Sequence, residues 1–170
     1  ANITSGGVLP ALNGSALTNL PPGICAVGAG ADSVLCLGDT NTAGGIQSTV
    51  SGGLLNNASG VYSVISGGSN NIASGSASVV GGGIGNTAPG SGMGRNTVAG
   101  GENNDALEGY TSIGGGKNNV AAGQYGTIPG GLNNEAYGDY SFASGRRAKA
   151  VNLGAFVWAD STNADYFSSV

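Results

Sequence analysis

The chain has 170 residues, of which 35 are glycine, only 8% are charged and none is histidine; the net charge is −4. Apolar residues reach 39%, too many for a typical disordered chain, and the glycines lack the strict three-residue period of collagen. What remains is a regular, tightly turning β architecture in which glycine serves the corners. The five lysines and arginines form no basic face to neutralise a phosphate backbone, so no nucleic-acid partner is expected. No stretch approaches the ~18 apolar residues of a membrane span. The N-terminus, ANITSGGVLP, lacks the basic-then-apolar pattern of a signal peptide. The expectation is either a leader removed from the chain or a protein that reaches its destination inside a particle.

In chain order, residues 1–36 are read as an extended N-terminal segment that docks the rest onto a particle or a cell-surface protein. Its LPALNGSALTNLPPG stretch has short apolar runs closed by a Pro-Pro-Gly terminator. Cys25 and Cys36 bracket a short glycine-rich stretch. A disulfide closing a hairpin and two buried free thiols are both open readings, while the spacing fits no zinc or redox CxxC site.

Residues 37–139 repeat themselves. Aligned on one alanine, the copies fall at Ala43, Ala58, Ala73, Ala88, Ala106, Ala121 and Ala136, every interval being 15 residues except one of 18. Two positions before each alanine stands an asparagine: Asn41, Asn56, Asn71, Asn86, Asn104, Asn119 and Asn134. An aliphatic column follows at Val50, Ile65, Val80, Val98, Ile113 and Ile128, ending in Ala143, and behind it comes a Gly-Gly pair in six copies. A further column holds Gln47, Tyr62, Ala77, Tyr110, Tyr125 and Tyr140.

β-Branched residues suit short strands, and Gly-Gly and Asn suit turns because they tolerate positive φ. One 15-residue unit therefore makes one coil, and stacked coils repeat at ~4.8 Å, so that seven rise roughly 34 Å. The asparagines are expected to form a structural ladder along the stack, with alanine where the coil is narrowest. Seven coils in one thin roll have little interior. The expected remedy is self-association, with Val50, Ile65, Val80, Val98, Ile113 and Ile128 forming the trimer core on a common axis.

The 18-residue interval carries GSGMGRN, read as a surface loop or, less simply, a binding loop. Glu102, Asp105 and Glu108 beside it are the one acidic cluster, a weak candidate for calcium. Neither the calcium-binding nonapeptide nor an EF-hand loop occurs, so a solvated charged face is the plainer reading; no metal and no cofactor are assigned. After Gly138 the rhythm changes. Residues 140–170 hold all three Phe and the single Trp and are read as a C-terminal cap or neck with conventional packing. Its Arg146, Arg147 and Lys149 are expected to pair with acids such as Asp160 or Asp165, or with a neighbouring chain.

The repeats resemble the SGGxNNxASGxYSxV variant of the head of trimeric autotransporter adhesins, the YadA-like group, a variant also found in phage tail-fibre proteins. SFASGRRAKA is similar to the Ser-x-Ala-x-Gly-x-x-Ala-x-Ala element of those heads. The likeness covers about 37–162. It implies an all-β fold: a left-handed parallel β-roll, or β-solenoid, here of about seven 15-residue coils, assembled as a homotrimer. The usual repeat of the family is nearer 14 residues, and its members carry a coiled-coil stalk and a membrane anchor; this chain ends at Val170 with neither. The expectation is therefore a non-enzymatic structural and attachment protein, a homotrimeric fibre, spike or decoration segment on the surface of a phage virion. Its partners would be itself and a host glycan or surface receptor. The same fold also serves the runner-up, an adhesin head at the bacterial cell surface or outside it, binding glycan or matrix protein. From another class comes a polysaccharide-degrading tailspike, which needs two carboxylates around a groove. Without histidine, Ser-His-Asp and Cys-His mechanisms are excluded. Ice binding is disfavoured because no Thr-x-Thr repeats.

Overall fold

A computed structural model describes residues 26–36, 38–90 and 94–169. The chain is an all-β parallel β-solenoid of about nine turns with no helix among the described residues. Strands Val34–Leu35, Thr49–Val50, Val64–Ile65, Val79–Val80, Thr97–Val98, Ser112–Ile113, Thr127–Ile128, Phe142–Arg146 and Phe156–Trp158 stack in parallel as the first sheet. The second runs Thr42–Ala43, Asn57–Ala58 and Ile72–Ala73, crosses a single bridge at Thr87, and continues from Asp105–Ala106 through Val120–Ala121, Glu135–Ala136 and Ala148–Ala150 to Tyr166–Phe167. A third line of contact is a chain of single bridges from Asp39 through Leu54, Ser69, Ile84, Glu102 and Lys117 to Leu132. Each residue pairs with its own counterpart one copy on, as Val50 with Ile65 and Ala58 with Ala73. At ~4.8 Å per coil the described stack rises about 40 Å.

Both ends differ from the boundaries drawn on the repeat. Val34–Leu35 already belongs to the stack, and Ala26–Val27 folds back on it as an antiparallel hairpin. The part of the 1–36 segment that is described is thus the first coil of the solenoid. Residues 1–25 lie outside the described residues. Past 139 the coils continue at a 14-residue spacing, Ala136 pairing with Ala150 and Phe142 with Phe156. These two additions take the count from the expected seven to about nine.

Two corners per coil turn through left-handed backbone. Gln47, Tyr62, Ala77, Arg95, Tyr110, Tyr125 and Tyr140 occupy one, with φ between 53° and 63°. Leu55, Asn70, Asn103, Asn118 and Asn133 occupy the other. The positive-φ asparagine is therefore the one preceding the ladder asparagine. Gly68 shows why the Gly-Gly pair is needed: φ is 90°, and a Cβ there would lie 2.1 Å from the carbonyl oxygen of Gly83.

Between the corners the interior is thin. Each repeat from Asn56 to Ile128 contributes inward one Ala, one Val or Ile and one Asn, all fully buried, and the next has Ala143 in the aliphatic place. Here the structure corrects the sequence reading. Val50, Ile65, Val80, Val98, Ile113 and Ile128 have no exposed surface within a single chain, so they face the chain's own alanine column and are not a trimer core. The reason is the alternation of strand side chains. Thr49 and Ser51 point out, and Val50 therefore points in.

The asparagines make the stack cohere. Each ladder Oδ1 from Asn41 to Asn119 accepts the backbone N–H of the next asparagine: Asn41 from Asn56 at 3.0 Å, Asn104 from Asn119 at 3.1 Å. From Asn56 on, each Nδ2 donates to a glycine carbonyl of its own coil and to one of the next, as Asn104 does to Gly100 at 3.0 Å and Gly116 at 2.9 Å. Amide-to-amide bonds also occur, Asn119 Nδ2 to Asn104 Oδ1 at 3.0 Å. The main partners are nonetheless backbone groups. Cys36 is disulfide-bonded, and Cys25 lies outside the described residues.

Removing one rung orphans several buried polar groups, at ~1–3 kcal/mol each. Asn104→Ala should therefore cost at least about 3 kcal/mol in denaturant unfolding, and Asn41→Ala, at the half-exposed end of the column, clearly less. Ile113→Asp buries an unpaired carboxylate inside one chain. It should abolish the folded β signal in circular dichroism and not merely dissociate folded copies.

Candidate functional site

The solenoid displays its chemistry in columns, and each candidate is a column or a local break in one. Tyr110, Tyr125 and Tyr140 share the left-handed corner, where the side chain projects from the edge of the coil. Their rings stack with centroids 5.0 Å apart and planes within 9° and 3° of parallel. Arg95, at the same corner one coil earlier, places its guanidinium 5.5 Å from the Tyr110 centroid and donates to the Tyr110 hydroxyl at 3.2 Å. Because neighbouring rings cover one another's faces, the column presents ring edges and hydroxyls to solvent along its length and one ring face at its Tyr140 end, which is 65% exposed. Tyr62 stands apart, since Ala77 interrupts the series.

The acidic cluster is not assembled. Glu102 lies on the bridge line and pairs with Lys117 at 2.8 Å. Asp105 is half-buried on the second sheet, and Glu108 precedes the left-handed corner at Tyr110. No group of three metal-ligating side chains forms among the described residues. Burial pushes the Asp105 carboxyl above its ordinary value of 3.8, and a hydrogen bond with the Thr87 side chain partly opposes this.

The basic residues near the end of the stack fasten its last segment. Arg147 donates to Asp165 at 2.7 Å and holds that carboxyl below its ordinary range. Lys149 pairs with Glu135 and also donates to the Asn133 carbonyl at 3.3 Å. Arg146 donates to the Ser161 carbonyl at 3.2 Å and to Asn163 Oδ1 at 2.8 Å. Asp160 is held by neutral donors, accepting from the Thr162 N–H at 2.8 Å and the Tyr166 hydroxyl at 2.9 Å. The aromatic residues do not make a conventional core: Phe156, Trp158 and Phe167 are all exposed.

One column escaped the sequence reading. Ser33, Ser48, Ser63, Ser78, Asn96, Thr111 and Ser141 are buried, two positions before residues of the inward column, with Gly126 in the same place before Ile128. Several tie their corner: Ser63 Oγ donates to the Gly60 carbonyl at 2.7 Å, and Thr111 Oγ1 to that of Glu108 at 3.0 Å. Asn96, within the long interval, donates to the Ala106 carbonyl at 2.7 Å. The signal was present as a period of small polar residues, readable as strand filler until their burial is known.

Among known proteins, no family model matches the chain and no curated protein is detectably similar to it in sequence.

The sign of the Asp105 shift makes a prediction. A raised folded-state pKa means the contribution of this group is favourable below about 3.8 and is lost as pH rises through the folded value. Asp105→Asn, which keeps an acceptor without the charge, should raise the melting temperature at about pH 7 and leave it nearly unchanged at about pH 3.

Proposed function

We propose that the chain is a non-enzymatic structural and attachment protein, a segment of a homotrimeric fibre, spike or decoration on the surface of a phage particle. The observation that carries this reading is the unbroken asparagine ladder. From Asn41 to Asn134, and on to the backbone N–H of Ala148, every coil is fixed to the next by buried hydrogen bonds. Such a stack is stiff along its axis and repetitive on its surface, the properties of a projecting rod. The side chains able to do acid–base or metal chemistry are dispersed over separate columns or engaged in ion pairs, which favours a rod over a tailspike enzyme. The phage assignment draws on the resemblance of the repeats to fibre proteins, and the left-handed hand of the roll is expected on the same ground.

The test joins assembly to location. Sedimentation equilibrium of the purified chain should return the trimer mass. Immunogold labelling with an antibody to the chain should decorate projections of phage particles from the culture that makes it. A folded monomer would overturn the trimer. Label confined to cell envelopes would move the assignment to the adhesin reading, and depolymerisation of a host capsular polysaccharide by the purified protein would replace it with the enzymatic one.

A further inference from the structure

With the aliphatic column buried inside each chain, some other surface must join the copies, and the outer face of the first sheet is unlike the rest of the molecule. Its strands run parallel from Val34–Leu35 to Phe156–Trp158, and strand alternation sends two residues per coil outward, such as Val79 and Gly81 on either side of buried Val80. Among all these strands the one charged residue is Arg146, at the far end of Phe142–Arg146, where it pairs with Leu132 on the bridge line and so leaves the strip. The outward residues are short or β-branched, exemplified by Val64, Val79, Thr97 and Ser112, until the last two strands, where aromatic residues take over. There Phe142 and Phe156 stack at 4.6 Å, and Phe156 and Trp158 are 69% and 70% exposed. The other surfaces carry charge on the same kind of position: Asp105, Glu135 and Lys149 on the second sheet, and Asp39, Glu102 and Lys117 on the bridge line.

We infer that this charge-free strip is the surface through which copies of the chain pack against one another around a shared axis parallel to the stack. The inference rests on the homotrimeric reading above and locates its interface. A second copy is the occupant the strip fits. In a cyclic assembly, identical chains bring each coil level against the same level of a neighbour. The Val and Thr levels then meet Val and Thr, the aromatic level meets the aromatic level, and no charge is left to be paired at any height. Depletion of charge with aromatic anchors is the composition of a buried interface core, and the short side chains of a flat sheet permit close approach. Area argues for more than two copies. A strip about 40 Å long and ~10 Å wide offers roughly 400 Å², about half of what each partner buries in a stable pair. A pair would bury about 800 Å² in total, short of the ~1,200 Å² at which stable interfaces begin, and three strips converging on one axis reach about that total.

The experiment places charge and cross-links on the strip. V64E/T97E puts carboxylates on outward positions two coils apart, where the fold of a single chain does not use the side chain, with Asn57→Glu on the second sheet as the control. By sedimentation equilibrium the double variant should weaken the trimer at least ~100-fold, with circular dichroism unchanged, while the control stays trimeric. As a readout that does not depend on destabilisation, Ser112→Cys should be joined between copies by a short bismaleimide, and Val120→Cys should not. A double variant that remains trimeric, or cross-linking of the Val120→Cys variant and not of the Ser112→Cys variant, would overturn the strip as the interface and leave the homotrimer standing. A wild-type monomer would overturn both, and thermal hysteresis in that monomer would reassign the strip to an ice surface.

Discussion

Everything in this fold depends on one short side chain satisfying backbone groups that a single coil cannot satisfy for itself. A roll this thin turns sharply, and at each sharp turn carbonyls and N–H groups are buried facing inward without a ladder partner. Buried backbone groups must be paired. Asparagine suits the task because its amide carries both an acceptor and two donors on one methylene. The oxygen of Asn56 takes the backbone N–H of Asn71, and its nitrogen reaches Gly52 and Gly68. Aspartate could not donate, and glutamine would overfill the corner. The aliphatic column adds ~1.5–3 kcal/mol per buried Val or Ile, but specificity of register comes from the amides.

Much of this was legible in the sequence because a solenoid writes its geometry as a period. The Ala and Asn columns, the Gly-Gly corners and the stacking of one copy on the next follow from residues recurring every 15 positions. What the period could not give was direction. A column of Val and Ile reads the same whether it points inward or toward a neighbour, and only the parity of its position relative to Thr49 and Ser51 decides. The ends were misread for a related reason. The coils at 26–36 and beyond 139 lack the Asn-x-Ala signature or change to a 14-residue spacing, so composition suggested separate segments where the backbone simply continues. The serine column was visible as a recurrence but not as a buried one, because serine is equally at home on an exposed strand.

The candidate sites show the same limit from the other side. Glu102, Asp105 and Glu108 are close in sequence, yet a coil sends neighbouring residues to different faces, and proximity along the chain says little about proximity in space. Residues 15 apart are the true neighbours: Glu102 meets Lys117, and Tyr110 meets Tyr125. In such an architecture a functional cluster is to be sought down a column. The aromatic strip that ends at Trp158 and the tyrosine edge that ends at Tyr140 are both clusters of that kind.

The long interval between Ala88 and Ala106 carries a consequence for how this molecule keeps count. Asn86 Oδ1 accepts the Asn104 N–H at 3.0 Å, the same length as the bond between Asn56 and Asn71, although three more residues lie between the partners. Further along, Asn134 Oδ1 accepts from Ala148 at 2.9 Å across one residue fewer than usual. Contour length is thus a free variable and the rung is the invariant. The solenoid resembles a staircase whose landings can be widened without altering the height of a step: the three extra residues between Asn86 and Asn104 leave the steps above and below in phase.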